Sequence, residues 1–196
     1  MECNEDYSEI EVFSAEADIY NGGGLDSLTM LPTDGIVLSH VFANRQAITV
    51  HSSGVIFDGK GFLFVGHSEA GKSTMTKLLN GQAEILNDER LVVRKWPEGF
   101  RIHGSWSHGE VPIVSPSSAP LKAICFLQQA ETNAAEPISQ KTEILRRLVP
   151  CLIKPLETAE WWDKVLQTVE DITNEVPCYR LEFDKSGKVV EVLRAL

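Results

Sequence analysis

The sequence predicts one α/β domain built on a mixed β-sheet, and three observations carry that prediction. Gly61-Phe62-Leu63-Phe64-Val65 is an apolar run of strand length that leads into a glycine-bounded loop and then a helix. Short apolar segments separated by turn residues crowd the stretches 36–58 and 84–127, the pattern of successive strands. Residues 158–174 carry helical periodicity and are followed by a further strand at 176–183. A chain of 196 residues suits a single domain with a sizeable core, and it contains no internal repeat or low-complexity tract.

Taken in order, residues 1–34 form an acidic arm or edge segment, and 35–196 the folded domain. Glu2, Glu5, Asp6, Glu9, Glu11, Glu16 and Asp18 lie in a stretch without lysine or arginine, interrupted by Tyr7, Ile10, Val12, Phe13 and Ile19, so part of it can add an edge strand. Gly22-Gly23-Gly24 marks a flexible break or tight turn. Segments 36–43, 47–52 and 55–58 read as strands, the last joined by Gly59-Lys60-Gly61 to the 61–65 strand as a hairpin. In 73–79, Met75, Leu78 and Leu79 share one helix face. Segment 84–86 is a short strand ending at Asn87-Asp88-Glu89-Arg90, and 91–96 with 100–103 form a hairpin around Pro97-Glu98-Gly99. Residues 104–120, rich in Ser, Pro and Gly, read as a functional loop, 121–127 as a buried strand, and 128–137 as polar loop. Segment 138–152 is largely helical. In 158–174, Trp161, Trp162, Val165, Leu166, Val169 and Ile172 line one face opposite Asp163, Lys164, Gln167, Glu170 and Asp171. A terminal helix at 186–195 completes a set of C-terminal helices packed on the sheet.

Composition excludes several function classes. A formal charge of −10 disfavours non-specific nucleic-acid binding, since a phosphate backbone attracts a basic face. Arg146-Arg147 with Lys141 and Lys154 is the one basic cluster, and it reads as a solvated helix face. Cys3, Cys125, Cys151 and Cys178 are scattered, without C-x-x-C pairing or zinc-ligand spacing, and Cys125 reads as a small core residue. No signal peptide or membrane-spanning stretch is apparent, and with free thiols this points to a cytoplasmic protein without a membrane partner.

Function rests on Gly66-His67-Ser68-Glu69-Ala70-Gly71-Lys72-Ser73, a complete G-x-x-x-x-G-K-[ST] phosphate-binding loop, followed by Thr74. Strand, glycine loop and helix form the context in which successive backbone N–H groups point at phosphate oxygens, aided by the positive helix end. Lys72 neutralises the outer phosphates and the Ser73 hydroxyl sits on Mg²⁺, so the expected ligands are ATP and Mg²⁺. A strand meander ahead of the loop is unusual for Ras-like or RecA-like NTPases. Phosphoryl transfer also needs a metal-holding carboxylate and a base for the acceptor hydroxyl. Asp88 and Glu89 follow the strand after the P-loop helix, which places them at the phosphate end of the sheet. On an extended strand the two would point to opposite sides, leaving one to reach the metal. His51, in Thr49-Val50-His51-Ser52-Ser53-Gly54, is able to assist proton transfer or bind phosphate, but from the residues alone a structural histidine is an equal alternative. Trp106, His108 and Glu110, in a segment dense in polar side chains, are candidates for an acceptor loop.

The strand, the G-x-x-x-x-G-K-S loop, the short helix and the following Asp-Glu-Arg resemble the bacterial HPr kinase/phosphorylase catalytic domain and its smaller relatives, which share the fold of ATP-dependent phosphoenolpyruvate carboxykinase. The resemblance covers 46–110 with specific motifs and runs more loosely to 184. It implies a histidine beside the transferred phosphate, at His51, and metal-holding and acceptor-activating acids, at Asp88 and Glu89. Ser105-Trp106-Ser107-His108-Gly109-Glu110 is similar to a Pro-Trp-x-Gly-Glu-like loop of HPr-kinase-related proteins. Glu69 stands where the family usually has a second loop glycine, Glu89 is one methylene longer than the family's aspartate, and the Arg-Pro-Gly-Arg-like segment of phosphorolysis and HPr contact is absent. The large N-terminal domain of true HPr kinases is also missing. The resemblance therefore implies a short relative that phosphorylates a hydroxyl, a serine of a protein or peptide. The alternatives are a small-molecule kinase acting on free serine or a sugar, and a non-catalytic nucleotide sensor. True HPr kinases form rings, which raises a homo-oligomer as an option.

Overall fold

The computed structural model describes residues 2–4, 9–11, 13, 33–154 and 157–196. Among them, β1 (Glu2–Cys3) pairs only with β2 (Ile10–Glu11), in a two-stranded ladder of their own. Among the described residues the arm thus pairs with itself and not with the main sheet, and the Gly22–24 break lies outside the described residues.

The main sheet has eight strands: β3 (Ala47–Phe57), β4 (Lys60–Val65), β5 (Glu84–Asn87), β6 (Arg90–Trp96), β7 (Gly99–His103), β8 (Ser118–Gln129), β9 (Ala134–Pro137) and β10 (Cys178–Phe183). It is mixed, because β4, β8 and β10 run parallel while β3 is antiparallel to β4, β5 and β6. Two strands are long enough to serve two sets of partners. In β3, residues 47–51 pair with β6 and 52–57 with β4. In β8, residues 118–120 pair with β7 and 121–126 with β4. The chain β3–β6–β7–β8–β4 therefore closes on itself.

Both faces of the central strands are covered, which is why they read as unbroken apolar runs. Leu63, Val65, Ile124 and Phe126 face one core with α3 (Lys141–Leu148) and α4 (Ala159–Glu175). Phe62, Phe64, Ala123 and Cys125 face a second core with α2 (Lys72–Leu79) and α5 (Val189–Ala195). Cys125, Cys151 and Cys178 are free and buried, and burial pushes the Cys178 thiol up to about 12. Helix α4 is capped by the Thr158 hydroxyl, which accepts from the Trp161 N–H at 3.1 Å.

Four expectations need correction. Segment 36–43 is a helix, α1 (Thr33–Ala43), whose Ser39 carbonyl accepts from the Trp161 indole at 3.2 Å. Its apolar residues Ile36, Val37, Leu38, Val41 and Phe42 do not keep to one side, so periodicity hides it. Segments 47–52 and 55–58 are one strand, since Ser53-Gly54 continues the ladder to Phe64 and Leu63. The polar stretch 128–137 contains β9, fixed by pairing with β10. Leu166 is 45% exposed and not part of the packed face of α4. Among the described residues no helix is long and apolar enough to cross a membrane.

Candidate functional site

The loop 66–71 leaves the C-terminal end of β4, beside the parallel strand β8, and turns into α2. Gly71 caps the helix at φ +102°, a conformation that disfavours any side chain, and a Cβ there would lie 2.6 Å from the Phe183 ring. The loop closes through the Ala70 N–H on the His67 carbonyl at 3.1 Å, and Gln129 Nε2 ties the Glu69 carbonyl to the end of β8 at 2.9 Å. Glu69, at the position where a family glycine was expected, has φ 67°, so the backbone makes the left-handed bend a glycine would make.

Lys72 is buried, and its ammonium donates to the Gly66 and His67 carbonyls at 2.9 and 3.1 Å, inside the curl of the loop. Burial lowers its pKa, while the neighbouring Cys151 and the Asp88 carboxylate act to raise it. The Lys72 carbonyl accepts from Ser53 Oγ at 3.4 Å and Thr76 Oγ1 at 3.1 Å, fixing the first turn of α2 to β3. Ser73 and Thr74 are half-buried in that turn, His67, Ser68 and Glu69 are exposed, and no acidic residue occupies the first turn. The N-terminal end of α2 therefore keeps its full attraction for an anion.

Asp88 and Glu89 lie in a bend between Asn87, the last residue of β5, and Arg90, the first of β6, so the alternation expected of an extended strand does not apply to them. Buried Asn87 builds the bend. Asn87 Oδ1 accepts from the Glu89 and Arg90 N–H groups, both at 3.1 Å, and Nδ2 donates to the Arg90 carbonyl at 2.8 Å and Ser105 Oγ at 3.2 Å. Asp88, 3% exposed, accepts from the Gly109 N–H at 2.7 Å and the Val111 N–H at 3.1 Å, one on each oxygen. Gly109 permits that approach, because a Cβ there would stand 3.1 Å from Asp88 Oδ1. Glu89 Oε2 receives the Ser107 hydroxyl, and Arg90 Nε stands 3.7 Å from Oε1.

His51 lies inside β3, at the residue where the strand passes from β6 to β4. Its Nδ1 is 3.0 Å from the Glu89 carbonyl, an acceptor only, so the proton sits on Nδ1 and Nε2 is the basic nitrogen. Burial, then the Lys72 charge, lowers its pKa, with the Glu89 carbonyl and carboxylate opposing. Lys72, Asp88, Glu89 and His51 are thus brought together at one end of the sheet.

The expected acceptor-loop residues divide. Trp106 is 42% exposed and, with Ser105 and Ser107, lines a small apolar pocket against Leu38, Phe42 and Ile153. His108 is exposed and turned to the carbonyl of its neighbour Gly109 at 3.0 Å, and Glu110 pairs with Lys77 of α2 at 3.3 Å on the surface. Neither is drawn to the acidic turn. Among the described residues no cluster of three or more His, Cys, Asp or Glu side chains is arranged for a metal. Of the basic pair, Arg147 is engaged by Glu143 at 2.9 Å and Arg146 is exposed on the helix face. The sequence reading gave no role to Asn87, Ser105 or Ser107. An asparagine followed by two residues and an arginine at a strand end is an Asx-turn signal for the first, whereas nothing local announces the others.

The model of the family described as "SynChlorMet cassette protein ScmC" matches residues 26–196, and the chain belongs to that family. No curated protein matches it. Among solved structures, the HPr(Ser) kinase/phosphatase from Coxiella burnetii is similar at 9% identity with a TM-score of 0.46, over 75% of this chain and 88% of that one.

Proposed function

We propose that this member of the ScmC family is an ATP-binding, Mg²⁺-dependent phosphotransferase that moves the γ-phosphoryl group to a hydroxyl, with a serine of a protein or peptide as acceptor. The observation that carries the reading is that His51, Ser52 and Ser53 of β3 tie the Asp88-Glu89 bend to Lys72, whose ammonium sits inside the curl of its loop. The residues fit the ligands. The loop 66–71 and Lys72 offer N–H and ammonium donors to phosphates, and Ser73 with Asp88 offers two oxygen donors to Mg²⁺. Each Asp88 oxygen accepts one N–H and keeps a lone pair for a cation. Mg²⁺ is commonly held by few protein oxygens plus phosphate and water, which agrees with the lack of a larger carboxylate cluster.

ATP with Mg²⁺ supplies the transferable phosphoryl group and most of the charge neutralisation when bound. The chain supplies position and proton handling. Lys72 leaves the Gly66 and His67 carbonyls to meet phosphate oxygens. Glu89 takes the proton of the acceptor hydroxyl, and the His51 Nε2 assists beside it. The buried, turn-locked geometry around Asn87 holds both acids in place without reorganisation. A cytoplasmic location accords with the need for ATP and with the unpaired thiols of Cys125, Cys151 and Cys178.

A second reading, a nucleotide sensor that does not turn ATP over, draws on one observation: Lys72 and Asp88 are both satisfied by backbone groups, so ligand binding exchanges one closed network for another. Labelled γ-phosphate decides between them. Purified protein with MgATP and extract from its own cells should pass label to an acceptor, and Lys72→Ala should abolish both binding and transfer. The family's name speaks of a cassette, so products of neighbouring genes are the first acceptors to supply. Soluble metabolites as the labelled species would give the small-molecule kinase, and binding without transfer to any acceptor would give the sensor.

A further inference from the structure

We propose that Ser107 is an internal phosphoryl acceptor, a hydroxyl of this chain's own loop that the P-loop site phosphorylates. The inference rests on the kinase reading above and deepens it by naming one acceptor.

Ser107 Oγ donates its proton directly to Glu89 Oε2, the carboxylate assigned to acceptor activation. Its position is fixed from both sides. On one side, Ser105 Oγ donates to the Arg90 carbonyl at 2.6 Å and accepts from Asn87 Nδ2 at 3.2 Å. On the other, the Gly109 and Val111 N–H groups are fastened to Asp88 at 2.7 and 3.1 Å. The Ser107 N–H also leans on Ser105 Oγ at 3.4 Å. With 105 and 109 tied to the same four-residue turn, covalent geometry holds 107 over Glu89. The hydroxyl contacts of Ser105 and Ser115 in the same stretch are different in kind. Ser105 spends its proton on a carbonyl, and Ser115 donates to Glu84 at 2.6 Å, at the opposite end of β5 from the acidic turn. Ser107 alone of these three presents a nucleophile whose proton already points at a base beside the phosphate loop. Three consecutive residues of β3 tie Glu89 to the loop lysine, since His51 Nδ1 and the Ser52 N–H both meet the Glu89 carbonyl at 3.0 Å and Ser53 Oγ donates to the Lys72 carbonyl at 3.4 Å.

The step balances with ATP as the only co-reactant. Ser107 Oγ forms a bond to the γ-phosphorus as the bond from that phosphorus to the ADP oxygen breaks. The hydroxyl proton passes to the Glu89 carboxylate and the bonding electron pair leaves on ADP. The product carries roughly −1.5 to −2 charges at residue 107. Once Glu89 has passed its proton to solvent, that charge sits against a carboxylate, and repulsion drives residue 107 out of its contact. Trp106, next in the chain and 42% exposed, moves with it and reports the event.

The test uses the full chain as wild type, Lys72→Ala, Ser107→Ala, Ser107→Thr and Ser115→Ala. ATP binding is measured by titration, the phosphorylated residue by tandem mass spectrometry, and the loop by tryptophan emission of protein isolated from ATP-containing cells. Expected are phosphate at residue 107 in the wild type and in Ser115→Ala, at a rate unchanged on dilution, and its loss in Lys72→Ala. Ser107→Ala should bind ATP as the wild type does yet carry no phosphate and show no emission change. Ser107→Thr should carry phosphothreonine, which guards against a folding defect in the alanine variant. ATP binding with transfer to water or an added acceptor, but none to residue 107, overturns the inference and leaves the kinase reading intact. A transfer rate that rises with protein concentration also overturns it, because the acceptor would then belong to another molecule. No ATP binding by the wild type overturns both.

Discussion

Replacing Asp88 by asparagine should destabilise the protein before any effect on chemistry is considered. The carboxylate is 3% exposed and accepts two backbone N–H groups, from Gly109 at 2.7 Å and Val111 at 3.1 Å. Hydrogen bonds to a charged group contribute about 1.5–3 kcal/mol each, against about 1 for a neutral pair. Asparagine keeps one oxygen and turns an NH₂ toward the other N–H, so one bond weakens and one is lost with a buried donor unsatisfied. The expected cost is roughly 2–4 kcal/mol, a large part of the stability of an ordinary domain. With a typical urea slope this lowers the unfolding midpoint by about 1 M or more. The freed loop 104–117 should also become the first site of limited proteolysis. An Asp88→Asn protein with the midpoint and cleavage pattern of the wild type would refute this reasoning. A companion, Gly109→Ala, separates structure from chemistry: its Cβ meets Asp88 Oδ1 at 3.1 Å and disturbs the loop while the carboxylate remains. If Asp88 holds Mg²⁺, Asp88→Asn should lose transfer while keeping ATP, and Gly109→Ala should retain more transfer at equal destabilisation.

Gly71→Ala should cost roughly 1–3 kcal/mol, from the backbone at φ +102° and from the 2.6 Å approach to Phe183, and should weaken ATP binding because Lys72 follows directly; an unchanged melting curve would count against the observed loop. Glu69→Gly relieves a left-handed residue at φ 67°, a gain of up to about 1 kcal/mol offset by the extra freedom of glycine in the unfolded chain. Its denaturant midpoint should be no lower than that of the wild type, and a fall would show that Glu69 contributes something other than strain. Stability should also fall on mild acidification. His40, His51 and His103 all have pKa values lowered from 6.5, each mainly by burial, so folding favours the neutral rings. The stabilisation is present above pH 6.5 and is lost as pH drops through the lowered folded values. Urea midpoints measured from neutral pH down to about 5 test the sign, and a midpoint that rises on acidification contradicts it.

What the sequence made legible was local. The strand–loop–helix unit of 60–79 shows itself because strand, glycines, lysine and helix are contiguous, and the hairpins show because Gly59 and Pro97-Glu98-Gly99 interrupt apolar runs. Helix α4 shows because its buried residues Trp161, Val165, Thr168, Val169 and Ile172 keep helical spacing. Helix α1 did not, since β-branched and aromatic residues around all of it mimic a strand and its conformation is tied to the Trp161 indole far along the chain. Strand β9, only Ala134-Ala135-Glu136-Pro137, has little intrinsic preference and exists because β10 offers an edge. The polar segment 104–117 was legible as a loop from its composition but not in its geometry. Its shape is set by Asn87 and Asp88, whose hydrogen bonds cross 18 to 23 positions of sequence.

The position of the acidic turn follows from a feature of the sheet rather than of the turn itself. Strand β3 changes partner between His51 and Ser52, from β6 to β4. At that point the Ser52 N–H donates to the Glu89 carbonyl at 3.0 Å, and His51 Nδ1 meets the same oxygen at 3.0 Å. The 87–90 turn thus docks where β3 passes between the two parts of the sheet, and the next residue, Ser53, reaches across to the Lys72 carbonyl at 3.4 Å. Three consecutive residues of one strand join histidine, acidic turn and phosphate loop. A shift of β3 by one residue would turn His51 to the opposite face and part all three at once. Site geometry and strand register are therefore one property of this fold, and variants that loosen β3 should lose nucleotide binding and acceptor chemistry together rather than one before the other.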